Sequence, residues 1–165
     1  MASEPAIVHA TCVALRMAPA RWAAALFLGP SGSGKSDLAL RLVHGGGPES
    51  CRLVADDYVE VRRRRDDVVA GPPAGLAGKI EVRGVGLLDV PWLAEAPLVA
   101  AFRLVSAADV PRLPGSRHID LCELVQGPLD GPARLRLFQL APFEASAVAK
   151  VVLGVHLAAG TRFGE

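Results

Sequence analysis

At 165 residues, with 51% apolar and 21% charged side chains, the chain has the size and composition of one globular domain and is no disordered or fibrous polymer. Its net charge of +1 gives no global attraction to nucleic acid or to an anionic membrane, and neither is expected as a partner. The three cysteines, Cys12, Cys51 and Cys122, are far apart and form no CxxC pair, which argues against a cysteine-held metal or a disulfide framework and for a reducing compartment.

The segment Met1–Pro5 lacks the basic-then-apolar order of a signal peptide. The longest candidate for a membrane segment, Trp22–Leu28, is far shorter than the roughly 20 apolar residues a bilayer helix needs, so a cytoplasmic protein is expected. Ala6–Leu15 reads as a first strand and Ala23–Leu28 as a second, nearly all apolar and therefore buried on both faces. Lys35–Val43 reads as a helix with Leu38, Ala39 and Leu42 on one side, ended by Gly45-Gly46-Gly47-Pro48. Arg52–Ala55 is a short strand, and Val59–Arg64 with Val68–Ala70 a hairpin turning near Asp66-Asp67. Lys79–Arg83 alternates charged and apolar residues, as a strand with one polar face does. Leu98–Val105 and Leu135–Leu140 are further strands, whereas the Pro- and Gly-rich stretch from Val110 to Pro132 supports no firm assignment. Ala145–Ala158 closes the chain as a helix with Val148, Val151, Val152 and Val155 on one stripe.

The strongest local signal is Gly29-Pro30-Ser31-Gly32-Ser33-Gly34-Lys35-Ser36, which fits G-x-x-x-x-G-K-[ST] at every fixed position, between a buried strand and an amphipathic helix. Glycines let the backbone turn its N–H groups onto phosphate oxygens, and the helix that follows adds its positive end. In such a loop Lys35 reaches the β- and γ-phosphates and Ser36 can ligate Mg²⁺. Some twenty residues on, Val54-Ala55-Asp56-Asp57 ends an apolar strand in two acids, where ligands gather in open α/β sheets. Neighbouring strand residues point to opposite faces, so one acid can hold Mg²⁺ or its water while the other faces the substrate.

Other features admit two readings from the residues alone. His9 is either packed in the first strand or in touch with a phosphate. Lys79, Glu81 and Arg83 form either a solvated salt-linked face or a wall of the site beside Gly84 and Gly86. Arg62–Arg65, balanced by Glu60, Asp66 and Asp67, reads best as a solvated hairpin tip. Pro142–Ala147 is either an ordinary helix entry or an anion loop.

His9-Ala10-Thr11, the loop Gly29–Ser36, Arg52–Asp57 and Ile80-Glu81-Val82-Arg83-Gly84-Val85-Gly86-Leu87-Leu88-Asp89-Val90 occur in that order. The series resembles the catalytic domain of HPr kinase/phosphorylase, closely from about Val8 to Val90 and more thinly to about Leu157. The resemblance implies a single domain, a short form without the family's N-terminal domain. It implies an α/β fold whose P-loop core is like that of phosphoenolpyruvate carboxykinase, with a mixed sheet and flanking helices. It implies an ATP- and Mg²⁺-dependent kinase acting on a serine of the phosphocarrier HPr or an HPr-like protein, with phosphorolysis to pyrophosphate as the reverse reaction. Full-length relatives form hexamers, so a homo-oligomer is implied as well.

Carried over residue by residue, the resemblance makes Lys35 the phosphate-gripping lysine, Ser36 and Glu81 the Mg²⁺ ligands and Asp57 the acid/base residue supported by Asp56. His9 becomes a site residue, and Gly29, Pro30, Ser31, Gly32, Ser33, Gly34, Lys35 and Ser36 hold the nucleotide. Arg83, Gly84 and Gly86 shape the adjoining wall. After Val90 no residue matches the arginine of the family's flexible loop, and Phe143-Glu144-Ala145-Ser146-Ala147, with Lys150, stands where the family has a basic loop. A P-loop kinase of a small hydroxylated metabolite and a nucleotide-binding module without turnover remain the alternatives.

Overall fold

The computed structural model describes residues 4–47 and 49–160. Ala6–His9 (β1) and Thr11–Ala18 (β2) lead into Arg21–Leu28 (β3), the P-loop and helix Lys35–Gly46 (α1). Cys51–Ala55 (β4), Tyr58–Arg64 (β5) and Asp67–Gly71 (β6) follow, then Lys79–Val82 (β7) and Gly86–Asp89 (β8). Ala96–Leu104 (β9), His118–Asp120 (β10), Val125–Gln126 (β11), Arg134–Leu140 (β12) and helix Ala147–Ala158 (α2) complete the order. The fold is mixed α/β, built on a ten-stranded sheet, with β7 and β8 paired apart from it.

The order β12-β9-β3-β2-β4 forms the central part, in which β3 runs parallel to β9 and β9 parallel to β12, while β2 is antiparallel to both β3 and β4. Every residue of Ala23–Leu28 is buried, because both faces of β3 are covered. Ala23, Ala25 and Phe27 pack with Leu38 and Leu42 of α1 and Val151 and Val155 of α2, so both helices lie on one face. Ala24, Leu26 and Leu28 pack on the other face with Val8 of β1 and Val59 and Val61 of β5. Phe27, Phe102 and Phe138 are register partners on adjacent strands, with ring centroids 6.1 Å and 5.1 Å apart. Gly154 brings α2 onto them: a Cβ there would stand 2.8 Å from Phe102 Cζ.

This topology places the site. Thr11 at the start of β2 pairs with Phe27 at the end of β3, and Ala55 at the end of β4 pairs with Cys12. Residues 9–11 and the acids after Ala55 therefore gather around the carboxyl end of β3, where the P-loop begins.

Several sequence expectations need correction. Ala6–Leu15 is two strands, not one: the chain bends at Ala10, whose N–H donates to Asp57 O at 3.1 Å, and β1 joins β5 and β11 instead of continuing along β3. Asp56 and Asp57 are not strand residues but the connection between β4 and β5. Helix α1 runs past Val43 to Gly46 and ends at Gly47, with φ 70°; Pro48 of the expected terminator lies outside the described residues. The Lys79 strand stops at Val82, because Arg83-Gly84 turn the chain back into β8, with Val85 N donating to Val82 O and φ +84° at Gly84. The arginine run does lie, largely exposed, at the tip of the β5–β6 hairpin as expected, where Arg62 pairs with Glu60, Arg64 with Glu95, and Arg63 donates to the carbonyls of Asp130, Gly131 and Pro132. The stretch 110–132 carries β10, a 3-10 turn at Leu121–Glu123 and β11. Among the described residues, no helix is long and apolar enough to cross a membrane.

Candidate active site

The loop Gly29–Ser36 owes its shape to its glycines. Gly32 and Gly34 have φ of 80° and 95°, a region that side chains disfavour. Helix α1 starts at Gly34 with no side-chain cap, so N–H groups of its first turn are left for another partner. Inside the loop the buried Ser33 Oγ has no hydrogen-bond partner among the described residues. Lys35, only 7% exposed, curls back to donate to Gly29 O at 2.7 Å and Pro30 O at 3.0 Å. Burial pushes its pKa below the ordinary lysine value, while Asp57 and then Asp56 pull it back up.

Asp56 is the hub. Its Oδ1 accepts from Ser36 Oγ at 2.7 Å and from Thr11 Oγ1 at 2.8 Å, and its Oδ2 accepts from the Glu81 backbone N–H at 3.3 Å. The first turn of α1, the start of β2 and the middle of β7 are thus tied to one carboxylate. Asp57 faces elsewhere: its Oδ1 lies 2.9 Å from His9 Nε2, and both side chains are about half exposed. The separation comes from the backbone. Asp57 has φ 68°, and Tyr58 N donates to Asp56 O across it at 2.8 Å, a three-residue turn that throws neighbouring acids apart. A non-glycine residue held at positive φ costs about 1–3 kcal/mol, a strain that tends to collect at functional sites.

The residues singled out in the sequence therefore converge: Ser36 and the strand of Glu81 gather on Asp56, His9 on Asp57, and Lys35 feels both carboxylates, Asp57 first. His9 is a partly exposed partner of Asp57 rather than a packed core residue. The Glu81 side chain is exposed and pairs with neither Lys79 nor Arg83; Lys79 instead bonds Asp89 across the β7–β8 hairpin. Arg83 lies outside β7, in the turn. Among the described residues no cluster of His, Cys, Asp and Glu could hold a metal by itself. A hydroxyl and a carboxylate already side by side, a buried unpartnered hydroxyl and uncapped N–H groups fit a phosphate chain with a hard cation, whose ligands are oxygens.

Two residues at or beside the strand ends that carry the site were given no role of their own from the sequence. Thr11 is fully buried, and its signal was a polar residue inside an otherwise apolar run. Arg103 stands exposed at the end of β9, beside Leu28 in register, and makes no hydrogen bond or ion pair among the described residues; its signal was a lone charge in an apolar strand.

The sequence profile of the HPr Serine kinase C-terminal domain matches residues 8–97, a span that holds His9, the P-loop, both aspartates and the Glu81–Gly86 hairpin. The HPr kinase/phosphorylase of Shouchella clausii is 44% identical over 82 residues, 49% of this chain and 25% of that protein. That of Peptoclostridium acidaminophilum is 52% identical over 66 residues, 39% of this chain and 20% of that protein. The chain thus matches a quarter or less of the length of these relatives. The solved Hpr(Ser) kinase/phosphatase from Coxiella burnetii shares the fold, with a TM-score of 0.68 at 17% identity, over 92% of this chain and 95% of the other. With more than half of its residues inside the profile, site included, the chain belongs to the HPr Serine kinase C-terminal domain family.

Proposed function

We propose that the chain is an ATP- and Mg²⁺-dependent protein-serine kinase acting on HPr or an HPr-like phosphocarrier. The observation that carries the reading is the division of the two aspartates, Asp56 on the Ser36 hydroxyl and Asp57 on His9. The names of the curated relatives support the acceptor.

The P-loop amides and Lys35 take up the negative charge of the β- and γ-phosphates, and Lys35 needs only to leave two carbonyls of its own loop to do so. Ser36, Asp56 and Glu81 would hold Mg²⁺, which when bound spreads the charge of the phosphates. Asp57 is the base. With Oδ1 engaged by His9, its other oxygen is free to accept the proton of the incoming serine hydroxyl. The serine oxygen bonds to Pγ as the bond from Pγ to the β-phosphate oxygen breaks. ADP leaves, and the proton rests on Asp57. In reverse, the same carboxyl returns that proton to the serine oxygen while inorganic phosphate takes the phosphoryl group as pyrophosphate. We read the protein as cytoplasmic, consistent with free Cys12, Cys51 and Cys122.

The test is incubation with [γ-³²P]ATP, Mg²⁺ and purified HPr, followed by mapping of the label. Transfer to a serine of HPr is expected. Transfer only to small hydroxylated metabolites, or tight ATP binding without transfer, overturns the protein-kinase reading. Phosphoserine-HPr with inorganic phosphate, assayed for pyrophosphate, tests the reverse reaction.

A further inference from the structure

Resting on the nucleotide reading above, we infer that the Phe143 ring is the platform on which the nucleotide's base stacks, a subsite outside the residues 8–97 that define the family match. Phe143 is 72% exposed, although a phenyl ring gains by leaving water. Its edge lies against the P-loop: a Cβ on Gly34 would stand 2.9 Å from Phe143 Cζ and 3.2 Å from Cε1.

The ring is held relative to the loop. Arg41 of α1, itself paired with Asp37, donates to Pro142 O, so the segment before α2 is fastened to the helix that the P-loop starts. Beyond the ring, Glu144 N donates to Ala141 O, Ala147 N to Glu144 O, and Lys150 pairs with Glu144. The sequence left Pro142–Ala147 between a plain helix entry and an anion loop. Lys150, its nearby cation, is taken up by Glu144, which leaves the ring as the segment's chemistry.

Sheet order fixes which part of a nucleotide meets the ring. In β12-β9-β3-β2-β4, the two aspartates follow β4, two strands to one side of the P-loop strand, and Phe143 follows β12, two strands to the other. The transferring phosphoryl must lie on the Asp57 flank, so the base end of the same molecule runs toward the Phe143 flank. Tyr58 and Trp92 are the other exposed large aromatic rings among the described residues. Tyr58 stands on the acceptor flank, 5.6 Å from the His9 ring, and Trp92 fills the space beside Gly78. Stacking on an exposed ring tolerates any base, so the site favours a nucleoside triphosphate over a bare polyphosphate without choosing strongly among bases.

Titration calorimetry of the full chain with ATP, GTP and tripolyphosphate tests this. Phe143→Ala is expected to weaken ATP and GTP about tenfold and to leave tripolyphosphate unchanged. In Phe143→Trp, ATP is expected to quench added indole fluorescence that tripolyphosphate does not. Unchanged ATP affinity in Phe143→Ala, or equal weakening of ATP and tripolyphosphate, overturns the inference. Tripolyphosphate binding as tightly as ATP to the parent chain overturns it while the P-loop reading stands. Failure of the parent to bind either overturns both. Normal stacking without transfer to HPr overturns only the proposed kinase activity.

Discussion

Ser36 and Asp56, twenty residues apart, meet in a hydrogen bond of 2.7 Å that joins the first turn of α1 to the connection between β4 and β5. The same carboxylate accepts from the Glu81 backbone N–H through its other oxygen, so Asp56 needs acceptors at both positions. Asparagine offers only one. Asp56→Asn sets an amide NH₂ against either the Ser36 and Thr11 hydroxyls or the Glu81 N–H. The expected outcome is weaker Mg²⁺-dependent nucleotide binding together with a loss of about 1–3 kcal/mol of stability, the usual cost of an unsatisfied buried partner. Denaturant unfolding and ATP titration at several Mg²⁺ concentrations measure both. A variant as stable as the parent, with the same Mg²⁺ dependence, contradicts this role.

Asp57→Asn should behave differently. Asparagine tolerates the left-handed φ of 68° that this position imposes, so the turn survives. Its side chain cannot take the serine proton. Nucleotide affinity is expected to hold while turnover falls about 10²–10⁴-fold, the scale of general base catalysis. If Asp56→Asn costs turnover far more than Asp57→Asn, the roles of the two acids are reversed.

Lys35 is the next test. Removing its side chain leaves the Gly29 and Pro30 carbonyls without their donor but also removes a cation that burial disfavours. These effects oppose each other, so Lys35→Ala should shift the melting temperature by only a few degrees. Binding of ATP and of tripolyphosphate should both drop if Lys35 grips the phosphates as proposed. Affinity and turnover equal to the parent's would contradict the assignment.

The P-loop could be read from the sequence because its glycines, lysine and serine sit at fixed spacing beside a buried strand, and local chemistry dictates the shape. The two aspartates could be placed near it for a similar reason, since an apolar strand delivers its last residues to the sheet's carboxyl end. Their separation could not: it arises from the turn at Asp57, and alternation along a strand suggested it for the wrong reason. The break at Ala10 was also hidden, because Ala6–Leu15 is apolar on both sides of a bend that exists only when Ala10 meets Asp57. Phe143 came to the P-loop through the parallel pairing of β12 with β9, a long-range register that no local pattern encodes.

Helix α2 offers a test of packing. Gly154 lies in its interior, where alanine would be favoured by about 1 kcal/mol on helix propensity alone. A methyl group there meets Phe102, whose ring is fully buried and stacked on Phe138, and a ring has no flexible end to yield. Overpacking of this kind costs about 1–3 kcal/mol, so it outweighs the propensity gain. Gly154→Ala should lower the denaturant midpoint; a raised midpoint would show that α2 can lift off the sheet at little cost.

Glu81 separates two accounts of one charged strand. Lys79, the cation on its own strand, is engaged by Asp89, and Glu81 pairs with neither Lys79 nor Arg83. Its backbone N–H is fixed on Asp56, so the side chain begins beside the Ser36–Asp56 pair. A solvated surface acid contributes at most about 1 kcal/mol through any ion pair, and its loss would leave activity unchanged at every Mg²⁺ level. A cation ligand behaves otherwise, because a hard ion held by few oxygens depends on each of them. Glu81→Gln keeps the shape and the backbone hydrogen bond but removes the charge. Turnover across a Mg²⁺ titration should show a midpoint displaced to higher Mg²⁺, with activity largely restored at saturation. A midpoint in the parent's position with normal turnover would make Glu81 a surface residue and remove it from the proposed cation site.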